Sequence, residues 1–294
     1  MKISAYAHFV NLVDKLGIEA AADFALAHRC EAVEFIDVWG NPSHVKDEQT
    51  AREFRRVLDE KGVRVACYSA ALNLCKPGDE SHDPREELTF LMHAADMAKI
   101  LGSPFLHHTL VLDLIYDPET YFDDFGKVMD QLIPLACKVA DYCEERGLIT
   151  LYEPQGFYAN GRENFSAFYN EMKRRGKKIG VCGDMGNTFF CDWSARDFFD
   201  EFADQMLHLH AKDYKLINEN ETEGAAHVYT SKGGQLLIPT PLGEGDSDVK
   251  YCLDKVRALG YDGAVSLEGY YRDLEKEMAY DVEFLEKYFN NNNV

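Results

Sequence analysis

GKKIGVCGDMGNTFFCDWSARDFFDEFADQMLHLHAKD, residues 176–213, holds one complete repeat of the chain. Gly176 is a helix stop, KIGVCG (178–183) is an apolar run of strand length, 194–204 has helical period, and MLHLH (206–210) is a second apolar run. Two strands joined through a helix pair in parallel, since a hairpin-length loop cannot return the chain to the same direction. Asp184 follows the first run and His210 closes the second. Each strand therefore delivers a polar group at its C-terminal end.

The same alternation extends in both directions. Candidate strands are ISAYA (3–7), AVEFI (32–36), VRVACYS (63–69), PFLHH (104–108), LITLY (148–152), KIGVCG, MLHLH and GAVSL (263–267). Helical segments are expected near 14–28, 47–61, 84–101, 117–146, 163–174, 194–204, 247–259 and 272–289. Asp83-Pro84 with Glu86 and Glu87 opens one of them, and Gly62, Gly102, Gly147, Gly176 and Gly260 each stop a helix before the next strand. No G-x-G-x-x-G follows any strand, and eight strand-helix units suit closure better than an open sheet. The expected fold is α/β, a (β/α)8 TIM barrel. One domain spans 1–294, with an inserted loop or hairpin at 211–246 in which HVYTSKGGQLLIP forms two short strands around Lys232-Gly233-Gly234.

A chain of 294 residues buries about three quarters of its unfolded surface, so its core needs no structural staple. Lys and Arg number 31 against 51 Asp and Glu, a net charge of -20, which repels nucleic acid and anionic membranes. The N-terminal stretch has no apolar core of a signal peptide, and no segment reaches the length of a membrane span. Eight cysteines are scattered with no C-x-x-C pair, as expected of reduced, buried thiols in a cytoplasmic protein; Cys182, two residues before Asp184, reads as packing.

Active sites of such barrels lie at the C-terminal ends of the strands. Four neighbouring strands end in Glu153, Asp184, His210 and Glu268. Three carboxylates and an imidazole converging on the barrel axis demand a cation. Oxygen-rich ligation with one nitrogen suits one divalent ion, Mn²⁺ first, with Mg²⁺, Co²⁺, Fe²⁺ or Zn²⁺ as alternatives. Adjacent strand residues face opposite sides, so only one of His107 and His108 enters the site, and His108 is the favoured candidate base. Lys212 shares the parity of His210 and can reach a substrate oxygen, whereas Asp213 orients a ligand or a loop. His208 reads as a deeper supporting histidine. Asn187 is a candidate hydroxyl ligand, with His8, Glu34 and Arg272 as rim groups.

The strings LYEP, CGDMGN, HLHAKD and VSLEG, in this order, resemble the metal-site segments of the sugar phosphate isomerase/epimerase family, the xylose-isomerase-like barrels. The resemblance spans nearly the whole chain, and His210-Ala-Lys-Asp213 is its most specific part. It implies Glu153, Asp184, His210 and Glu268 as metal ligands and the two glutamates as the groups that exchange a substrate proton. It also implies a sugar or polyol isomerase or epimerase working through a metal-stabilised enediolate. The PLGEGD segment, 241–246, resembles the family's GEG turn, whose N–H groups are candidate anion binders.

Within the same superfamily, three-metal apurinic endonucleases require histidines that this chain replaces with Tyr68-Ser69-Ala70, Asn187 and Gly245-Asp246. A trinuclear site is thereby excluded. The alternative activity is a lyase: an inosose-type dehydratase, or a C-glycoside deglycosidase large subunit cleaving a 3-oxo-glycoside with a small β-rich partner. Tyr152, Phe157, Tyr158, Phe189, Phe190, Tyr270 and Tyr271 would then accommodate an aglycone. A non-catalytic barrel is the third class. The expected ligand is a small carbohydrate or glycoside, and the expected assembly is either a homo-oligomer or a pair with such a partner subunit.

Overall fold

The computed structural model describes residues 1–113, 115–225, 227–271 and 273–291. Among these, the strands are β1 (Lys2–Ala5), β2 (Ala32–Val38), β3 (Arg64–Ala71), β4 (Phe105–His108), β5 (Ile149–Tyr152), β6 (Ile179–Asp184), β7 (Met206–Ala211), β8 (Asp213–Ile217), β9 (Tyr229–Thr230), β10 (Leu236–Thr240) and β11 (Ala264–Leu267). The first seven and β11 form a closed parallel barrel in sequence order, with β11 pairing β1 through Lys2↔Ala264 to Ala5↔Leu267. The chain therefore folds as the expected (β/α)8 barrel.

The helices are α1 (Ala7–Leu16), α2 (Ile18–Ala27), α3 (Glu48–Lys61), α4 (Arg85–Leu101), α5 (Phe125–Glu145), α6 (Arg162–Arg174), α7 (Ala195–Phe202), α8 (Val249–Ala258) and α9 (Leu274–Asn291). The segment expected as one helix over 14–28 is two, broken where Gly17 takes φ 82°. The helix expected from 117 begins only at Phe125, because Asp117 accepts from Glu119 N and Thr120 Oγ1 and ties the preceding residues into a turn. None of the described helices is long and apolar enough to cross a membrane.

Strand parity sorts the barrel into two chemistries. Phe35, Tyr68, Leu106, Tyr152, Val181, Leu209 and Val265 face the helices and belong to the main apolar core. Their neighbours Glu34, Ser69, His107, Leu151, Cys182, His208, His210 and Ser266 point the other way, along the barrel axis, all buried. Cys67, Leu151 and Cys182 make a separate apolar cluster inside the barrel, and Cys182 also comes within ligand distance of Glu153 and His210.

The insertion after β7 contains one strand more than its sequence suggests. β8 pairs antiparallel with β10 from Asp213↔Thr240 to Ile217↔Leu236, and β10 pairs with β9. Charged Asp213 and Lys215 disguise β8 as loop, although Tyr214 and Ile217 are buried. The Asp213 carboxylate accepts from the N–H groups of Gly243, Gly245 and Ser247 at 2.9, 3.0 and 3.0 Å. A Cβ at Gly245 would collide with that carboxylate, so glycine is required there. Leu242 N donates to Asp281, Glu244 N to Pro241 O and Asp246 N to Tyr214 O. The expectation of free N–H groups in the GEG turn is thus corrected: the chain uses every one from Leu242 to Ser247.

Replacing Asp213 with alanine orphans three backbone donors and is expected to cost about 3 kcal/mol. Denaturant unfolding checks this, and a loss below about 0.5 kcal/mol contradicts the account.

Candidate metal centre

Glu153 follows β5, Asp184 ends β6, His210 lies in β7, and Glu268 follows β11 with its N–H donated to Ala211 O at 3.0 Å. One ligand atom from each lies within 4.8 Å of every other. His210 Nδ1 is the hub, 3.1 Å from Glu153 Oε2, 3.0 Å from Glu268 Oε2 and 3.9 Å from Asp184 Oδ2. Asp184 Oδ1 accepts from Gly186 N and Asn187 N at 2.8 and 2.5 Å, which aims the other oxygen at the cluster. That Oδ2 and Glu268 Oε2 are buried without a hydrogen-bond partner. Buried carboxylate oxygens are costly in that state, and a cation satisfies both. The donor set fits one divalent ion held by Glu153, Asp184, His210 and Glu268.

Lys212, the next inward residue after His210, supplies positive charge from the protein. Its Nζ lies 2.8 Å from Glu268 Oε1 and 3.2 Å from Asp184 Oδ2, and it donates to Asn187 Oδ1 at 3.1 Å. Asn187 in turn donates to Glu153 Oε1 at 3.3 Å. The structure therefore brings Lys212 and Asn187 into the site beside all four ligands.

The two glutamates differ in proton affinity. Burial raises Glu153 to about 7, against the opposing pull of His210. Glu268 is also raised by burial, but Lys212 and His210 outweigh this and bring it down to about 2. Burial raises Asp184 as well, only partly offset by Lys212.

Histidine placement corrects the sequence reading. His108 shares the outward parity of Leu106: its Nδ1 lies 2.9 Å from Thr109 O and its ring meets Tyr152 edge-on. His107 faces inward instead, with Nε2 3.5 Å from Glu153 Oε1 and its ring edge-on to His210. Of the rim candidates, Glu34 is fully buried inside the barrel, bound to His208, His210 and Ser69. His8 belongs to the first turn of α1, where Nε2 lies 3.1 Å from Gly269 O and the ring leans on Tyr271. One nitrogen of His8 is thus committed to the backbone after β11. Arg272 lies outside the described residues.

Tyr6 was not anticipated. It sits between β1 and α1, its ring stacked on that of His210 at a centroid distance of 4.8 Å and an interplanar angle of 25°. The expected strand ISAYA (3–7) runs through Tyr6, so its place past the strand end shows only in the fold. Glu34 did carry a signal: an acid inside the apolar run AVEFI must have a buried partner.

The sequence profile of the xylose isomerase-like TIM barrel family matches residues 22–288. No curated protein matches the chain by sequence. Among solved structures, a D-tagatose 3-epimerase-like protein superposes with a TM-score of 0.73 at 17% identity, covering 100% of this chain and 98% of its own. A xylose isomerase-like TIM barrel protein from Mycobacterium smegmatis, in complex with magnesium, gives 0.71 at 16% identity, with 99% and 97% covered. The probable 3-DHS dehydratase AsbF of Bacillus anthracis, involved in petrobactin synthesis, gives 0.69 at 14% identity, with 97% and 99% covered. At these identities the likeness is one of fold.

Chelator-stripped protein titrated with Mn²⁺ in a calorimeter is expected to bind one ion per chain. Below about pH 7 the ion must displace the proton held by Glu153, and the surrounding carboxylates hold a proton on His210 as well, so binding at pH 6 should be at least about tenfold weaker than at pH 8 and release at least about one proton. Equal affinity at the two pH values contradicts this assignment.

Proposed function

We propose, for a chain that belongs to the xylose isomerase-like TIM barrel family, a divalent-metal-dependent isomerase or epimerase of a free sugar or polyol. The observation that carries the reading is the pair of glutamates approaching His210 Nδ1, at 3.1 and 3.0 Å, with proton affinities pushed far apart. Two carboxyl groups so tuned can divide the roles of acid and base.

A bound ion would polarise a substrate carbonyl and lower the barrier to loss of the neighbouring proton. Glu268, kept ionised by Lys212, is placed to take that proton. Glu153, whose affinity lies near neutrality, is placed to return one. Lys212 and Asn187 offer a charged donor and an amide to the hydroxyl groups beside the reacting carbons. His107 faces Glu153 and so replaces His108 as the candidate second base or substrate ligand. Mn²⁺ suits the oxygen-rich set best. Every cysteine is unpaired, which supports a reducing compartment such as the cytoplasm. A small carbohydrate fits the net charge of -20 better than a phosphorylated or polyanionic substrate.

A specific observation favours a second reading, lyase action on a glycoside. Phe157, Phe189, Phe190, Tyr214 and Leu237 form an apolar cluster of their own, bordered by Tyr116, Tyr121 and Tyr229. Tyr270, 43% exposed and two residues after Glu268, packs on Tyr214 and Tyr229. An aromatic aglycone would pack on the exposed Tyr270 edge of this otherwise buried cluster, and the antiparallel insertion behind it is the surface on which a small β-rich partner or a second copy would dock.

Metal-loaded protein incubated with ketoses in D₂O is expected to place deuterium at the carbon next to the carbonyl. Glu153→Gln and Glu268→Gln should each slow exchange by about 10²- to 10⁴-fold. Full exchange in either variant rules out the proton-transfer roles, and release of an aromatic product from a 3-oxo-glycoside selects the lyase.

A further inference from the structure

Glu34 lies in the middle of β2 with no exposed surface, beneath the ligand layer. Its Oε1 accepts from Ser69 Oγ at 2.6 Å and lies 3.2 Å from His210 Nε2, while Oε2 lies 2.8 Å from His208 Nε2. Ser69 Oγ lies 2.9 Å from His107 Nδ1, and Ser266 Oγ lies 3.1 Å from His208 Nε2. β2, β3, β4, β7 and β11 thus each contribute to one polar belt around the axis.

An ionised carboxylate only accepts hydrogen bonds. His210 must then donate from Nε2 to Glu34, so Nδ1, 3.1 and 3.0 Å from Glu153 and Glu268, is the nitrogen that gives up its proton when an ion takes its place. Ser69 spends its single proton on Glu34, so His107 must donate from Nδ1 and turn its Nε2 lone pair to Glu153. One carboxylate sets two imidazoles in opposite tautomers.

Glu34, His208 and His210 also converge closely enough to hold a metal themselves, and Cys182 comes as close to Glu153 and His210 of the ligand set above. The hydrogen bonds decide between the two groups. Both oxygens of Glu34 are satisfied by protein donors, whereas Asp184 Oδ2 and Glu268 Oε2 above it are not. The lower group braces and the upper group binds.

We propose that Glu34 is the positioning residue of the metal centre, fixing His210 as the Nε2–H tautomer so that Nδ1 meets the ion, and fixing His107 through Ser69 as the Nδ1–H tautomer. This rests on the metal centre proposed above. Outer partners of this kind typically change metal affinity by about 10- to 100-fold when removed.

The test uses the full chain loaded with Zn²⁺, which is diamagnetic, and labelled with ¹⁵N-histidine. Long-range ¹H–¹⁵N spectra of the wild type should show His210 protonated at Nε2 and ligated at Nδ1, and His107 protonated at Nδ1. Competition with a chromogenic chelator should show Zn²⁺ bound about 10- to 100-fold more weakly by Glu34→Gln. Ser69→Ala should release the His107 tautomer while holding affinity to within about threefold. Ligation of His210 through Nε2, or equal affinity in the wild type and Glu34→Gln, overturns the role of Glu34 and leaves the centre standing. A wild type that binds no Zn²⁺ overturns the centre and this role together. The wild-type spectrum decides the matter even where Glu34→Gln does not fold.

Discussion

Glu153, Asp184 and Glu268 meet around one imidazole nitrogen in the mouth of a barrel that keeps most water away, and the rest of the site answers that crowding of negative charge. At the separations seen here, like charges in a low-dielectric setting repel by several kcal/mol unless a cation intervenes. The chain provides part of the compensation: Lys212 bridges Glu268 and Asp184, and the N–H groups of Gly186 and Asn187 hold one Asp184 oxygen. Two carboxylate oxygens, Asp184 Oδ2 beside Lys212 and Glu268 Oε2 beside His210, still lack a hydrogen bond, and both are directed into the cluster. A divalent ion is the addition that completes the balance.

The barrel makes this arrangement mechanically stiff. Parallel strands advance in register, so His210 lies opposite Asp184 on one side and Ser266 on the other. Strand parity then lines the axis with the Glu34 belt of hydroxyl and imidazole groups, interleaved with Cys67, Leu151 and Cys182, and sets the ligands at the strand ends. The belt orients the ligands. A side chain held by packing on one face and hydrogen bonds on the other keeps its geometry when the ligand charge changes.

Much of this was legible in the sequence. The eight barrel strands are recognisable as apolar runs, five of them after glycine stops, and the four strand-end residues converge because all barrel strands point the same way. Finer matters depended on phase. His107 and His108 are adjacent, β4 is only four residues long, and nothing local states which of its faces is the axis. The answer comes from registration with β3 and β5, where His107 lies opposite Ser69 and Leu151, both axial. Glu34 was misplaced for a similar reason, since its histidine partners lie more than 170 residues away. β8 was missed because its buried positions, Tyr214 and Ile217, are separated by two exposed ones. The GEG turn looked available because only the fold shows Asp213 already bound to it.

Anomalous diffraction from crystals soaked in Mn²⁺ tests the central claim most directly. The account predicts a single peak within bonding distance of Glu153, Asp184, His210 Nδ1 and Glu268, with Lys212 displaced from at least one carboxylate. A peak among Glu34, His208 and His210 instead, or none at an Mn²⁺ concentration that saturates the protein in solution, would contradict it.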